Sequence, residues 1–224
     1  MTYRIETRNH YLRVAVEVLF AHIQLAQHTC IIDLSSFHSL QEILQCIRRN
    51  NDVERFIFIG DRGMHSRILR TLISVDNHAP LLHYYETLRH CPGVSYHSAT
   101  EVLQKHRSMS DYSHQDKTTV YSLLMRDSMQ GAARLIGISC KLLYQRVDRL
   151  TKKLFLRSGL QAHQFFRQEF HPDYVRARID DQLRVSLRRE RNIGMEPDDL
   201  AIHHFKEPWG VSRSVSGRIQ KMDI

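Results

Sequence analysis

Lysine is missing from the first 104 residues of this chain, where every Lys/Arg cation is an arginine. Glycine is scarce, nine residues in 224, and none of it forms a phosphate-cradling run. No Walker loop and no G-x-G-x-x-G appears, so nucleotide chemistry of those kinds is not expected. The four cysteines, Cys30, Cys46, Cys91 and Cys140, make no C-x-x-C pair, and none stands at zinc spacing from a histidine. Cys30 and Cys46 lie in apolar contexts and read as reduced core residues. Long apolar runs are absent too. Val14–Ala21 is interrupted by Glu17 and is too short to span a bilayer, and the start lacks the apolar h-region of a signal peptide. The expectation is a soluble cytoplasmic protein with no membrane partner. H-E-x-x-H and G-x-S-x-G are absent, and the 15 histidines are scattered, with only His203-His204 adjacent. An enzyme is therefore not expected, nor a metal, a cofactor or a small-molecule ligand.

What is present is an ordinary globular composition, 42% hydrophobic and 25% charged, in a length that suits one large domain or two small ones. The net charge is +8, which favours a polyanionic partner. Its distribution is uneven. Residues 1–109 hold 12 Lys/Arg against 10 Asp/Glu, residues 110–170 hold 10 against 5, and residues 171–224 hold 10 against 9. The excess is concentrated in the middle segment, +5 of the total.

The first hundred residues alternate between strand and helix signals. Tyr3–Thr7, Thr29–Leu34 and Arg55–Ile59 read as strands, the last two as short β-branched or aromatic runs of the buried kind. Tyr11–Gln24, Ser39–Arg48 and His65–Ser74 carry helical periodicity. Pro80–Tyr85 and Val94–His97 read as two more strands, and Thr100–His106 as a helix. The alternation predicts an α/β domain over 1–107, with a parallel sheet covered on both faces. Ser108–Ser113 is small and polar and reads as a linker.

Gln130–Leu150 carries the pattern of a helix-turn-helix. Ala133 is small where two helices would cross. Gly137, four residues on, can take the positive φ of a tight turn. Ser139 is an N-cap candidate. Leu143, Val147, Leu150 and Leu154 make one apolar stripe, and the opposite face holds Lys141, Tyr144, Gln145, Asp148, Arg149 and Lys152. Such a helix suits the DNA major groove. Gly159–Phe170 reads as a further helix with Leu160, His163, Phe165 and Phe166 available for packing. Beyond it, Asp180–Arg191 reads as a helix ending in Arg188-Arg189-Glu190-Arg191, and Trp209 sits in a turn-like Glu-Pro-Trp-Gly.

Tyr112–Phe155 resembles, without a gap, the LuxR-type (NarL/FixJ-like) helix-turn-helix domain. Ser113 and Asp116 stand at the family's Thr-x-x-Glu box, and Ala132-Ala133 at its small pair before the turn. Ile138-Ser139-Cys140-Lys141-Leu142-Leu143 stands at its Ile-Ser-x-Lys-Thr-Val, and Lys153-Leu154-Phe155 at its Lys-Leu-Gly ending. The departures are Gly131 where the scaffold helix carries Glu, Arg126 for a Gly, Arg146 for the recognition-helix His, and Asp148 at a commonly basic groove-facing position. The resemblance implies an all-α four-helix module over 113–170 that binds double-stranded DNA. Ser139, Lys141, Tyr144, Gln145, Arg146, Arg149 and Lys152 would be its contact residues. It further implies a homodimer, or a heterodimer with another LuxR-type regulator; the aromatic pair on the last helix either serves that dimer or simply closes the small core. Residues 171–224 are an extension the family does not require.

An α/β domain ahead of such a module resembles a response-regulator receiver. Ile31-Ile32-Asp33-Leu34 matches its phosphoacceptor strand, with Asp33 at the acceptor place. Phosphorylation there needs a divalent cation held by further carboxylates, a hydroxyl after a later strand, and a lysine on the phosphoryl oxygens. Glu6 stands alone after the first strand, Gly60-Asp61 offers no hydroxyl, and the lysine is missing. Only about 32 residues precede Asp33, so a strand–helix unit is compressed or absent. The expectation is a degenerate receiver-like domain that does not accept phosphate. Family members with degenerate receivers include auxiliary regulators of capsule and fimbrial genes, and the resemblance implies a transcription regulator of that kind here. The alternatives are a response regulator controlled through Asp33, and an interaction protein that titrates a partner regulator without binding DNA.

Overall fold

The computed structural model describes residues 3–23 and 28–192. The chain is mixed α/β, with a parallel sheet near its start followed by a helical region. Contacts gather 1–182 into one compact unit, separate from 183–224. Trp209 and His203-His204 lie outside the described residues.

Four parallel strands run in sequence order across the sheet: β1 (Tyr3–Glu6), β2 (Thr29–Asp33), β3 (Arg55–Gly60) and β4 (Ile73–Asp76). Helix α1 (His10–Ala21) links β1 to β2, α2 (Leu40–Arg49) links β2 to β3, and the short α3 (Met64–Ile68) links β3 to β4. Alternation along the strands divides the core. Ile5, Ile31, Ile57 and Ile59 pack with Val16, Leu19 and Phe20 of α1, and with Tyr84 and Leu88 of α4 (Leu81–His90). Cys30, Ile32, Phe56 and Phe58 point the other way, toward Leu40, Ile43, Leu44 and Ile47 of α2 and Ala99 and Leu103 of α5 (Tyr96–Ser108). The β1–α1–β2 and β2–α2–β3 connections thus step the same way across the sheet over opposite faces. One of them is necessarily left-handed, against the strong rule for such crossovers.

Three sequence expectations need correction. The helix read over His65–Ser74 is one turn, after which Ile73–Asp76 becomes the fourth strand. Periodicity favoured a continuous helix, but β3 supplies a backbone partner that draws the β-branched Ile73 and Val75 into the sheet. Pro80–Tyr85 is no strand. Pro80 caps α4, and Tyr84 and Leu88, four apart, are its buried stripe. Val94–His97 yields a single antiparallel bridge, Val94 to Phe56, before Ser95 caps α5 through the Ser98 N–H. Arg55 is buried because it closes the end of α4: its Nη2 donates to the Leu88 carbonyl (3.1 Å) and its Nε to Thr29 Oγ1 (2.8 Å).

The stretch read as a polar linker is packed. Met109 adopts a left-handed φ of 55° at the end of α5 and is fully buried, and Tyr112 is buried beside it. Four helices follow: α6 (His114–Met125), α7 (Met129–Leu135), α8 (Cys140–Lys153) and α9 (Gly159–Glu169). Phe165 and Phe166 are wholly buried, Phe165 meeting the Phe170 ring edge-on, so they close the core and are not free to form an interface. Helix α10 (Pro172–Asn192) takes in the 180–191 stretch read as helical. The apolar cluster beneath α2 and α5 is continuous with that of α6–α9, so the sheet and the helices share a core.

Candidate nucleic-acid interface

Helix α7 ends in a Schellman arrangement. The Gly137 N–H donates to the Arg134 carbonyl (3.2 Å) and the Ile138 N–H to the Ala133 carbonyl (3.1 Å), with Gly137 at φ 66°. Nothing lies within 4 Å of where a Cβ would stand, so glycine is required there by conformation and not by space. Ser139 then caps α8, its Oγ accepting from the Leu142 N–H at 3.2 Å. Ala132 and Ala133 are buried, and Leu143, Val147 and Leu150 fill the opposite side of the α7–α8 contact.

The outer face of α8 carries Lys141, Tyr144, Gln145, Asp148, Arg149 and Lys152, all exposed. Among the described residues Lys141, Tyr144 and Gln145 make no side-chain hydrogen bond or ion pair, so each is available to a partner, and Tyr144 is 60% exposed. Asp148, the carboxylate that breaks the basic pattern, pairs with Lys152 one turn on at 2.6 Å. Arg146 lies on the half-buried flank, away from the centre of this face. Arg149 reaches Asp116 of α6 at 3.2 Å.

Asp116 is the residue whose role sequence reasoning understated. It closes the capping box with Ser113, and it also receives Arg149 and, at 3.0 Å, Lys153. Burial pushes its carboxyl up, but the hydrogen bonds from Lys153 and Ser113 and the Lys153 charge outweigh this and hold it below its ordinary value. A buried carboxylate thereby fixes how α8 sits on α6. The family's Thr-x-x-Glu box placed Ser113 and Asp116 three residues apart. The two α8 cations converge on Asp116 only in three dimensions.

A second buried carboxylate joins the helices to the sheet. Glu169, at the end of α9, has a side chain only 2% exposed. Its Oε1 accepts from the Leu40 N–H, the first residue of α2, at 2.7 Å and lies 3.3 Å from His65 Nε2. Nearby, Phe155 ends α8 in a left-handed φ of 57°, a conformation unfavourable for a residue with a side chain. Its ring lies 3.3 Å from the Arg70 guanidinium, a cation–π contact that glycine at this place could not make.

Asp33 is nearly inaccessible, at 2% exposure. One carboxylate oxygen accepts from Thr7 Oγ1 (2.6 Å) and Ser36 Oγ (2.7 Å), the other from Ser35 Oγ (2.6 Å) and the Ser35 N–H (3.0 Å). Both oxygens are thus engaged by donors from the chain, and the side chain caps the short 3-10 turn Leu34–Ser36. Asp61, after β3, is bonded to Ser66 Oγ at 2.6 Å. Among the described residues no group of three His, Cys, Asp or Glu side chains is arranged to hold a metal ion, and no helix is long and apolar enough to cross a membrane. A scan against protein-family models and a search of curated proteins each find no match to this chain.

Proposed function

We propose that the chain is a sequence-specific regulator of transcription of the LuxR type, with α7 and α8 as a helix-turn-helix that docks α8 in the major groove of double-stranded DNA. The observation that carries this reading is the outer face of α8. Lys141, Tyr144 and Gln145 stand there unengaged, directly after a glycine turn and a serine cap, in the segment that holds most of the excess positive charge. Lys141 and Gln145 recognise base edges or phosphate, the Ser139 end of the helix approaches phosphate, and Arg146, Arg149 and Lys152 contribute the surrounding field. The protein works as a homodimer or beside a second LuxR-type regulator, in the cytoplasm, as an auxiliary regulator of fimbrial or capsule genes. Asp33 is a structural cap in this reading, and control comes from abundance or from a partner. A gel shift with fragments of the chain's own genomic neighbourhood tests it: retarded bands that survive competitor DNA support it, and their absence across the set refutes it. The Asp148–Lys152 pair, which neutralises part of the face, favours the second reading, an interaction protein that titrates another regulator.

A further inference from the structure

Leu123, Val147 and Gly159 line a hollow of about 460 Å³ in the helical region. Leu123 and Val147 are buried beneath it, and α9 comes close to α8 here because position 159 is glycine: a Cβ there would stand 3.2 Å from Val147 Cγ1. Met129 at the start of α7, Tyr144 on α8 and Leu160 on α9 line the same hollow. Leu160 is 69% exposed and Tyr144 60%. Two large side chains from different helices thus stand in water around one concavity. Its volume and its apolar lining are those of a small-molecule site. The lining comes from three separate stretches, 123–129, 144–148 and 159–163, so no local pattern in the sequence points to it.

The polar groups of the hollow differ in how they are engaged. Asp127 pairs with Arg167, and Asp148 with Lys152 at 2.6 Å. His163 donates through Nε2 to the Leu123 carbonyl at 3.2 Å. Ser128 Oγ accepts from the Gly131 N–H at 3.1 Å. Arg126 also lines the hollow, is exposed, and makes no ion pair or side-chain hydrogen bond among the described residues. Its stem runs beside the first turn of α7, with Cβ and Cδ 3.5 and 3.7 Å from where a Gly131 Cβ would stand. The site therefore offers apolar contact and one guanidinium whose charge no carboxylate answers.

We infer that this hollow binds a small amphipathic carboxylic acid. Its hydrocarbon body lies on Leu123, Val147 and Leu160 and against the Tyr144 ring, and the flexible Met129 side chain adapts to its outline. Its carboxylate meets the Arg126 guanidinium, whose paired N–H groups match the two oxygens. A cationic headgroup would have to compete with Arg167 or Lys152 for a carboxylate. Tyr144 and Asp148 belong to the outer face of α8 as well, so the occupant borders that face. The inference concerns ligand binding alone and stands whether or not α8 binds DNA.

The test uses the full chain with isotope-labelled methionine methyl groups and three probes of equal chain length: decanoate, decan-1-ol and decylammonium, each below the concentration at which it aggregates. The Met129 methyl resonance, assigned with Met129→Leu, is the positional readout, and those of Met64 and Met109, which lie outside the hollow, are the controls. Decanoate shifts the Met129 methyl saturably and leaves the controls in place. Decan-1-ol binds about two- to fivefold more weakly, and decylammonium more weakly still. Arg126→Gln weakens decanoate about two- to fivefold and leaves decan-1-ol unchanged. Leu160→Glu removes apolar contact and adds a like charge, and weakens decanoate about tenfold or more. Both positions are exposed, and unchanged thermal melts show that the variants fold. The inference is overturned if decanoate leaves the Met129 methyl unmoved, if the three probes bind alike, or if Arg126→Gln weakens decan-1-ol as much as decanoate. It is equally overturned if the Met129 methyl shifts with protein concentration alone, which would mean that a second copy of the chain covers the hollow.

Discussion

Replacing Glu169 by alanine removes the acceptor that a helix of the sheet domain depends on. The Leu40 N–H at the start of α2 is a group with no intrahelical partner, and Glu169 Oε1 takes its hydrogen bond at 2.7 Å in a place only 2% exposed. Ser39 cannot substitute, because its Oγ already accepts from the Glu42 N–H. A buried donor left unsatisfied costs about 1–3 kcal/mol. The lost negative charge at a helix N-terminus adds about 0.5–1 kcal/mol, and His65 loses its neighbour as well. The sum is about 1.5–4 kcal/mol, or a fall in Tm of about 3–16 °C for a unit of this size. Glu169→Gln keeps an acceptor and forfeits mainly the charge, so it falls by about 1 kcal/mol. Chemical denaturation followed by far-UV circular dichroism and by tyrosine fluorescence measures both. Because the sheet and the helices share a core, Glu169→Ala shifts one transition that the two probes report together. If its midpoint matches wild type, or if wild type unfolds in two separated steps, the reasoning about this joint is wrong.

Other perturbations probe the remaining parts. Ala133→Leu places a larger side chain in the α7–α8 contact, where Ala133 is 1% exposed, and lowers stability by about 1–3 kcal/mol in a thermal melt. Asp116 has a lowered native pKa, so its contribution is present above the ordinary carboxyl value of about 4 and is lost as pH falls through the lower native value. Asp116→Asn is accordingly less stable than wild type at neutral pH, and the gap between them narrows below about pH 4 in denaturation series. Asp33, with both oxygens engaged by Thr7, Ser35 and Ser36, gains no phosphoryl mass on incubation with acetyl phosphate and magnesium, and Asp33→Asn leaves DNA binding unchanged; a phosphoryl adduct that Asp33→Asn abolishes would restore the receiver mechanism.

Local chemistry made much of this legible in advance. The cap at Ser139, the glycine turn at Gly137 and the stripe Leu143–Val147–Leu150 act within a few residues, so sequence spacing suffices to find them. Strands β2 and β3 are buried on both faces and announce themselves as apolar runs. What failed were decisions made elsewhere in the chain. Ile73–Asp76 is a strand because β3 offers it a ladder, and Leu81–His90 is a helix because Tyr84 and Leu88 meet the sheet on one side. The engagements of Asp116 with α8 and of Glu169 with α2 pair residues 33 and 129 positions apart, beyond any local pattern. Phe155 was visible only as a missing glycine; the Arg70 contact gives that departure a structural use.

Sequence-specific DNA binding through α8 is the central claim, and selection from a sheared genomic library of the source cell, with wild type and the Lys141→Ala and Gln145→Ala variants run in parallel, tests it most directly. The account predicts that wild type enriches a small set of sites, and that each variant binds the selected sites more weakly by about 1–3 kcal/mol while melting like wild type. Failure of wild type to enrich any sequence, or equal affinity of wild type and both variants for what it enriches, would contradict it.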